Sequence, residues 1–478
     1  MIRRWLALGT VLLIILLQGC DVTRDIVEAL VALCDHPHVV TKFQDTRDGR
    51  CTSDDCSLYD AVVVAEFCGQ GTIRLSPGEY SLEQIDSRYF GPTALPLIRG
   101  DLTIEGNGAT IQRSADKGIS KFRMFHVGIT GMLTLVDLTL RNGFARRRDE
   151  GDVRPFDQPA NHGGAIFNVG TLTLRNTRFS ENRATTAGGA IYNLGILTVA
   201  GGSSFDGNRA NAGGGIFTGD AATRDTLLDG IAPREVTATI TATTFSSNQQ
   251  IGTSLGIGWY VGGGAIYNFG GRLTVQEVTF RQNSSQAVGG GIYNTGTLSI
   301  VQTTFDRNTA ELEGGAIRTG PGSMTMSSST VSGNTAALGG GIYCSDGMVT
   351  LQDCTIAGNS ATRAATAGGG LNISGPVTLQ IGNTLVADSP SGNDCGLAVP
   401  VEQTSVNLST DDTCGFALRG DPRLDPLANY GGRTETHRLA AGSPAINAGE
   451  RCGSTDQRGR PRPAPSGGRC DIGAFEVQ

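Results

Sequence analysis

Short runs of alternating apolar and polar residues recur about every 25 residues along most of the chain. Each recurrence carries a marker of the form Gly-Gly-Ala-Ile-aromatic-Asn. The central aliphatic residues of these markers are Ile166, Ile191, Ile216, Ile266, Ile292, Ile317, Ile342 and Leu371. Alternation with a period of two predicts half-buried strands, and a unit of this length leaves no room for a helix beside them. The pattern therefore predicts a solenoid of stacked units.

A second marker, an apolar residue followed three places later by Asn, runs in phase with the first. Its Asn residues are Asn182, Asn208, Asn248, Asn283, Asn308, Asn334 and Asn359. The first marker supplies another set, Asn168, Asn193, Asn268 and Asn294. An inward Asn at the same point of successive coils can bond to its neighbours and to turn backbone. We expect two structural ladders inside the solenoid.

Each unit is predicted to hold three short strands and to form one coil of a single-stranded parallel β-helix. Less regular coils precede the repeats at 72–75, 102–112 and 125–142. With these the rod has about eleven coils and is about 50 Å long at a strand spacing of about 4.8 Å. The period is interrupted by insertions at 144–161, 219–235 and 249–261.

Charge narrows the range of partners. The chain carries 38 basic and 45 acidic residues, a net charge of −7. Without Arg3 and Arg4 the balance is 36 − 45 = −9, which argues against binding nucleic acid or an anionic surface. The three lysines, Lys42, Lys117 and Lys121, all precede the regular repeats.

The first twenty residues predict export. A basic start is followed by an apolar stretch over 5–17 and then by Leu-Gln-Gly-Cys, ending at Cys20. This segment, 1–19, resembles a bacterial lipoprotein signal, which implies cleavage before Cys20 and a lipid on that residue. The alternative is a plain transmembrane anchor, for which the stretch is short, since a span needs about 20 residues. The expected membrane contact is the N-terminal lipid.

Ten further cysteines in an exported chain predict disulfides. Spacing suggests Cys51 with Cys56, Cys395 with Cys414 and Cys452 with Cys470, which leaves Cys34 for Cys68. Cys344 and Cys354 both point inward by strand alternation, and we predict a fifth bridge between them. The alternative is that these two are buried free thiols acting as small apolar residues.

Residues 56–67 read as a short amphipathic helix with Ser57 as its N-cap. Such a helix would cover the open first coil, whose unpaired strand groups invite aggregation. The segment 51–66 resembles the CSLREA segment of exported bacterial β-helix proteins, although Tyr59-Asp60 replaces the usual Arg-Glu. The repeats resemble those of polymorphic membrane proteins and pectate-lyase-like folds, and this resemblance implies a right-handed parallel β-helix at the cell envelope.

The end of the chain resembles the choice-of-anchor Q ending. The residues that carry the resemblance are Asp421-Pro422, 429–432, 442–446, 456–459 and 470–476. We therefore divide the chain into a signal peptide (1–19), a tether (20–50), the β-helix with its capping helix (51–390) and a loop-rich, disulfide-stapled C-terminal region (391–478).

The repeats contain no pattern typical of a polysaccharide enzyme. Lyases on this fold use clustered acidic residues with an Arg or Lys base, and hydrolases use close carboxylates. Among the repeats, only Glu181 and Asp206 approach each other in adjacent coils. We predict no metal site and no cofactor. A polysaccharide lyase or glycoside hydrolase with its site near the insertions at 144–161 and 249–261 is the alternative.

Recognition is expected where the period fails. The insertion at 144–161 contains Arg146, Arg147 and Arg148, and that at 249–261 contains Trp259 and Tyr260. Both should leave the same edge of the rod, three coils or about 14 Å apart. The aromatic pair would stack on sugar rings or contact a protein partner. The alternative is that it folds back and packs over the coil. The leading hypothesis is a lipid-anchored, non-enzymatic envelope protein that binds polysaccharide or a surface protein.

Overall fold

A computed structural model describes residues 34, 38–88, 90–146, 159–219, 235–252, 261–363 and 367–478. They form a parallel β-helix, as predicted. The strands lie in three sheets of 10, 24 and 8 strands, which we call the anchor sheet, the long sheet and the short sheet.

The anchor sheet holds the aliphatic residues of the first marker. Its strands are Phe125–Val127, Ile166–Asn168, Ile191–Asn193, Ile216–Thr218, Ile266–Asn268, Ile292–Asn294, Ile317–Thr319, Ile342–Cys344, Gly368–Ile373 and Asn393–Leu397. The short sheet consists of Phe144–Ala145, Arg183–Ala184, Arg209–Ala210, Gln249–Gln250, Ser284–Ser285, Thr309–Ala310, Thr335–Ala336 and Ser360–Ala361.

The long sheet takes two strands from each regular coil. The first strands are His38–Val39, Gln70–Arg74, Thr171–Arg175, Ile196–Ala200, Thr237–Thr241, Arg272–Gln276, Thr297–Val301, Ser323–Ser327, Gly347–Gln352, Val377–Gly382 and Glu402–Gln403. The second strands are Glu79–Leu82, Arg178–Ser180, Ser204–Asp206, Thr244–Ser246, Thr279–Arg281, Thr304–Asp306, Thr330–Ser332, Thr355–Ala357, Leu385–Ala387, Leu408–Ser409 and Leu418–Arg419. Asp101–Arg113 and Met132–Arg141 run through both positions.

The prediction of three strands in each unit was wrong, because a regular coil has four. The long-sheet face bends at a residue with positive φ, such as Asn176 (49°) or Glu277 (55°), which divides one face into two strands. A second left-handed residue precedes each Asn of the second marker, for example Glu181 at 55°. These corners carry little apolar signal, so alternation alone did not separate the two strands.

The Gly-Gly marker is explained by a corner between the short and anchor sheets. Gly188 has a φ of 65°, which favours glycine. Its neighbour Gly189 is needed for a different reason: a Cβ there would lie 2.0 Å from the carbonyl oxygen of Gly214 in the next coil. Close backbone approach between coils therefore fixes the second glycine.

Inward side chains form columns along the rod. Phe179, Phe205, Phe245, Phe280 and Phe305 are fully buried. Their rings stack with centroids 4.7 to 5.0 Å apart. The spacing of the rings equals the spacing of the strands that carry them, so each coil packs the same residue onto its own copy.

The helix runs from Leu58 to Cys68 and packs on the first coils. The Ser57 hydroxyl accepts a bond from the Asp60 N–H at 3.1 Å and donates to the Asp60 carboxylate at 2.8 Å. Gly69 ends the helix with a φ of 75°. Leu58 and Val62 are buried in the main core, so the helix covers the first coils of the rod as predicted. A single 3₁₀ turn occurs within the described residues, at Pro159–Asn161.

Four disulfides join Cys34 to Cys68, Cys51 to Cys56, Cys395 to Cys414 and Cys452 to Cys470, as predicted. The predicted bridge between Cys344 and Cys354 was wrong, and both are buried free thiols. The strand Gly347–Gln352 lies between them and spans about 17 Å at 3.3 Å per residue. Cys344 lies in the anchor sheet and Cys354 directly before a long-sheet strand, so the two buried side chains enter the core from different sheets.

The rod extends beyond the predicted boundaries at both ends. His38–Val39, inside the predicted tether 20–50, pairs with Ile73 and Arg74. Past residue 390, Asn393–Leu397 continues the anchor sheet and Glu402–Gln403 continues the long sheet. Among the described residues, no helix has the length and apolar character that a membrane crossing requires.

Residues 420–478, which we call the C-terminal segment, lie along the side of the rod. They contact the outward face of the second strands of the long sheet. The Gln302 side chain donates to the Asp456 carbonyl at 3.0 Å, and the Ala474 N–H donates to the Thr355 hydroxyl at 2.9 Å. This segment is therefore neither a separate body nor a plug on the last coil.

Candidate functional site

Both sets of marker Asn residues form hydrogen-bonded ladders inside the rod. The Asn182 side-chain amide donates to the Asn208 side-chain oxygen at 3.0 Å and to the Leu140 carbonyl at 3.0 Å. The same pair of bonds recurs up to Asn334, which donates to Asn359 at 2.9 Å and to Phe305 O at 3.0 Å. Every second-marker Asn from Asn182 to Asn359 is completely buried. These side chains have no surface left for a ligand.

The other ladder follows the anchor sheet. Asn168 donates to Asn193, and Asn268 donates to Asn294, each at 2.7 Å. Asn294 donates to Thr319 at 3.2 Å, and Cys344 follows Thr319 in register. The Asn positions of both markers therefore satisfy buried polar groups.

A hydroxyl ladder that was not predicted supports the bend of the long sheet. The Thr177 N–H donates to the Ser203 hydroxyl at 3.1 Å, and the Thr303 N–H donates to the Ser329 hydroxyl at 3.0 Å. Cys354 occupies the same position one coil later, where its thiol donates to the Met326 carbonyl at 3.4 Å. The signal in the sequence was a Thr or Ser two residues before the apolar residue of the second marker.

The outward face of the anchor sheet carries a column of aromatic rings that was also not predicted. The column comprises Phe167, Tyr192, Phe217, Tyr267 and Tyr293, all at most 2% exposed. Neighbouring ring centroids lie 4.5 to 5.4 Å apart. The aromatic residue of the first marker lies between two inward residues, so alternation alone would have placed it outside. This column is covered in the folded protein and offers no open stacking platform.

Three cation-forming side chains lie at the N-terminal end of this column. Arg123 is fully buried, with its guanidinium 5.0 Å from the Phe167 ring centre. Burial lowers the pKa of Arg123 to about 9. Burial, and then the charge of Arg123, lower the pKa values of His126 and His162 to about 3. Both imidazoles are therefore neutral at physiological pH, which makes them poor proton donors for general acid catalysis.

The insertions at 144–161 and 249–261 leave the same sheet. Phe144 pairs with Arg183, Arg183 with Arg209, and Arg209 with Gln249, so the two departure points are three coils apart. Arg146 is exposed directly after the strand Phe144–Ala145. The other predicted binding residues, Arg147, Arg148, Trp259 and Tyr260, lie outside the described residues, as does the predicted lipidation residue Cys20.

Glu181 and Asp206 lie in adjacent coils, but the Asp206 carboxylate is occupied by other partners. The Glu181 backbone N–H donates to the Asp206 carbonyl at 3.1 Å, but the Asp206 carboxylate binds Arg178 at 3.2 Å and Ser246 at 2.8 Å. Within the described residues, no group of three His, Cys, Asp or Glu side chains is arranged to hold a metal ion.

One hydroxyl and imidazole pair has the geometry of an activated nucleophile. The Ser332 oxygen lies 2.9 Å from His437 Nε2, and His437 Nδ1 lies 2.8 Å from the Asp425 carbonyl oxygen. Burial lowers the pKa of His437. The pair belongs to the contact between the rod and the C-terminal segment, beside the bond of 3.0 Å that joins Thr330 to Thr436. Its evident role is to hold the segment on the rod.

Comparison with known proteins gives one match to a family of repeats. The Chlamydia polymorphic membrane protein repeat matches residues 176–194, 277–295 and 328–345. Each matched stretch begins near the bend of the long sheet and ends just after an anchor-sheet strand. Each therefore includes the Asn of the second marker and the first marker, whose Asn is replaced by Cys344 in the third stretch. The matches cover a minority of the chain, and no curated protein matches it.

Among solved structures, the chain is similar to the crystal structure of pectate lyase Pel9A. The two are 13% identical, and the alignment covers 94% of this chain and 98% of the lyase with a TM-score of 0.39. The assignment of the parallel β-helix above rests on the strand pairing of this chain itself.

Proposed function

We propose that this protein is a surface-exposed rod of the bacterial cell envelope that recognises a glycan or a surface protein without catalysis. The observation that carries the proposal is that the recurring polar residues are buried and form hydrogen bonds within the rod. The Asn residues of both markers bond inside the rod, so the repeats build a scaffold. The match to the Chlamydia polymorphic membrane protein repeat, whose name places that family at a membrane, supports a role at the cell surface.

Export is supported by four disulfides, since such bonds persist in oxidising compartments. We further propose that Cys20 carries lipid and anchors the protein to the envelope. Metabolic labelling with a clickable palmitate analogue should label the wild-type protein and not the variant Cys20→Ala. Equal labelling of both proteins would contradict the lipid anchor, while surface exposure would be judged separately by protease shaving of intact cells.

Binding is tested with the mature protein, residues 20–478, on a broad panel of immobilised glycans and matrix proteins. We expect saturable binding to at least one class of ligand. Uniformly negative results would favour a passive spacer, because the rod would then have no surface that binds a ligand.

The alternative function is a polysaccharide lyase or glycoside hydrolase. It needs a cluster of acidic groups with a base, or two close carboxylates, and within the described residues no group of three His, Cys, Asp or Glu side chains could hold the metal ion that such a lyase uses. Incubation with uronic-acid and neutral polysaccharides, followed by assays for unsaturated products and reducing ends, separates the alternatives. Turnover of any polysaccharide would overturn the binding proposal in favour of an enzyme.

A further inference from the structure

Four exposed cations cluster on one stretch of the short-sheet side of the rod. They are Lys121, Arg146, Arg183 and Arg209, and we call them the basic patch. Phe144 lies at its centre, with its ring centre 5.1 Å from the Arg183 guanidinium and 5.0 Å from the Lys121 ammonium. Arg183 and Arg209 are paired in register, so their backbones are about 4.8 Å apart.

Among the residues that the structure describes, no carboxylate neutralises the basic patch. Within the described residues, none of its four cations forms an ion pair, and Arg209 Nε bonds to the neutral side chain of Gln249 at 2.8 Å. Exposed arginines on the long sheet do have acidic partners. Arg178 binds Asp206 at 3.2 Å, and Arg272 binds Glu235 at 2.9 Å. Like charges directly opposite each other on a sheet are destabilising, so the fold maintains an unfavourable arrangement here.

We propose that the basic patch binds an acidic polysaccharide, a chain of uronic-acid or sulfated sugars lying along the rod. This inference rests on the proposed function and names its ligand class. Successive coils present one outward position about every 4.8 Å, which is comparable to the length of one sugar in an extended chain. From Phe144 to Gln249 the strip is three coils long, or about 14 Å, enough for three or four sugars.

The shape of the charge distribution favours a thin polymer over an anionic membrane. The protein carries a net charge of −7, so an extended anionic surface would also face the acidic remainder of the molecule and be repelled. A single chain can lie on the strip and avoid those carboxylates. The protein's overall charge therefore restricts the ligand to one that matches the patch alone.

Nucleic acid is the other thin polyanion, and the described residues of the patch lack the free aromatic ring that its bases would need. Proteins that bind single strands place aromatic rings under the bases. Both Lys121 and Arg183 already contact the Phe144 ring. The described part of the patch therefore offers charge and hydrogen-bond donors, which suit carboxylate and sulfate groups, and its one ring, that of Phe144, is already in contact with two cations.

The experiment measures binding of the mature protein to polygalacturonate, dextran sulfate and neutral dextran across a range of salt concentrations. The patch variant is Arg183→Glu with Arg209→Glu. The matched control is Arg178→Glu with Arg272→Glu, which makes the same change in net charge at exposed arginines elsewhere on the rod. Thermal unfolding of each variant checks that the fold is retained.

We expect binding to at least one acidic polymer and none to dextran, with carboxylate or sulfate preference read from the first two arms. The patch variant should bind at least about tenfold more weakly, and the slope of log K against log salt should fall by about one for each arginine that no longer binds the polymer. The control variant should change binding by less than about twofold, since its arginines lie off the strip.

Equal losses of affinity in the two variants would overturn the inference, because net charge and not the patch would then set affinity. Comparable binding of single-stranded DNA with the same dependence on Arg183 and Arg209 would replace polysaccharide by nucleic acid. Binding to a glycan that is insensitive to charge reversal would defeat the inference and leave the proposed function standing. Failure to bind any glycan or matrix protein would count against both.

Discussion

The regular coils and the C-terminal segment bury polar groups in different ways. In the coils one bond is copied many times, as when Asn248 donates to Asn283 at 2.9 Å and Asn283 donates to Asn308 at 2.9 Å. Each side chain both donates and accepts, and the next coil supplies its partner. No charge is needed in this second-marker ladder, because translation along the rod gives each of these Asn side chains the same donor and the same acceptor.

In the C-terminal segment each buried polar group has a different set of hydrogen-bond or ion-pair partners. The Arg462 side chain is completely buried and bonds to the Glu476 carboxylate at 3.0 Å and to the Gly473 carbonyl at 3.0 Å. It also lies 3.7 Å from the Asp353 carboxylate of the rod. Burial raises the pKa of Glu476, which shows that the charged form is held against a desolvation cost.

This difference means that a single substitution in the repeats should affect stability only locally, whereas a single substitution of a buried charged residue in the irregular segment should affect it strongly. The loss of one rung should affect a coil and its two neighbours, whereas the loss of one ion should leave others buried without a partner. Burying a charge pair is costly unless its geometry and its remaining hydrogen bonds are complete. The segment should therefore depend on a few residues, and the rod on none in particular.

The largest effect is expected from Arg462→Met. This substitution leaves the Glu476 and Asp353 carboxylates buried without their partner, which should lower the free energy of unfolding by about 3–5 kcal/mol. Urea unfolding followed by circular dichroism measures the loss. Hydrogen exchange should show faster exchange in residues 450–478 and little change in the anchor sheet.

Arg469→Met is the matched control. Arg469 pairs with Glu450 at 2.9 Å, and both side chains are more than half exposed. Removal of such a pair should change stability by less than about 1 kcal/mol. Similar losses in the two variants would contradict the idea that buried charge holds the segment to the rod.

The next effect tests the close approach between coils. In Gly189→Ala the new Cβ would meet the Gly214 carbonyl oxygen at 2.0 Å, and we expect a loss of about 3 kcal/mol from the forced backbone shift. Gly207→Ala has no atom within 4 Å of its Cβ and costs only its left-handed conformation, about 1–2 kcal/mol. Thermal and urea unfolding compare the two, and a larger loss at Gly207 would refute this account of the marker.

A substitution within the ladder probes how evenly the coils share their polar bonds. Asn283→Ala removes the acceptor of Asn248 and leaves the Phe245 carbonyl without its side-chain donor, for a loss of about 2–3 kcal/mol. Asn308→Ala should cost the same within about 1 kcal/mol, because its bonds are the same. The exposed Gln276→Ala is the control. Very unequal losses of stability at Asn283 and Asn308 would contradict the idea that the coils, unlike the C-terminal segment, share their polar bonds evenly.

The smallest effects are expected at the two free cysteines. Cys344→Thr and Cys354→Ser place residues that neighbouring coils already use at these positions, and each should change stability by less than about 1 kcal/mol. The thiols of the native protein should resist alkylation and react after denaturation. A mass showing both residues oxidised to a disulfide in the native protein would disprove the free-thiol assignment.

The same thiols predict a dependence on alkaline pH. Burial raises the pKa of each from an ordinary value of 9.0 to about 12. The unfolded chain releases these protons near pH 9, while the folded protein retains them up to about pH 12. Their contribution to stability is therefore complete below pH 9 and is lost as the pH rises toward 12. Urea unfolding between pH 8 and pH 10.5 measures the decline, which should be weaker when both cysteines are replaced.

Repetition made much of the fold predictable. The spacing of Ile191 and Ile216 predicted the stacking, and the recurring Asn residues predicted the two ladders. Ser57 and the paired cysteines also predicted local features correctly, because helix caps and short disulfide loops depend on neighbours in sequence. The bend at Asn176 was missed, since a single left-handed residue does not interrupt alternation.

The candidate surface was much less visible in the sequence. Arg146 was identified because it lies in an insertion, but Lys121, Arg183 and Arg209 come from separate coils and look like ordinary polar positions. Only the register of the short sheet places Arg183 against Phe144 and Arg209. That none of these cations has an acidic partner among the described residues is also a property of that arrangement.

The sequence by itself determined the parallel β-helix and the inward Asn residues of its coils. Both follow from local alternation copied at a fixed interval, and copying places like residues on like residues whatever the rest of the chain does. The tertiary structure alone decided that Cys344 and Cys354 stay apart, that the C-terminal segment lies along the rod, and that four cations meet beside Phe144. These outcomes depend on distances between residues far apart in sequence, which no periodicity encodes.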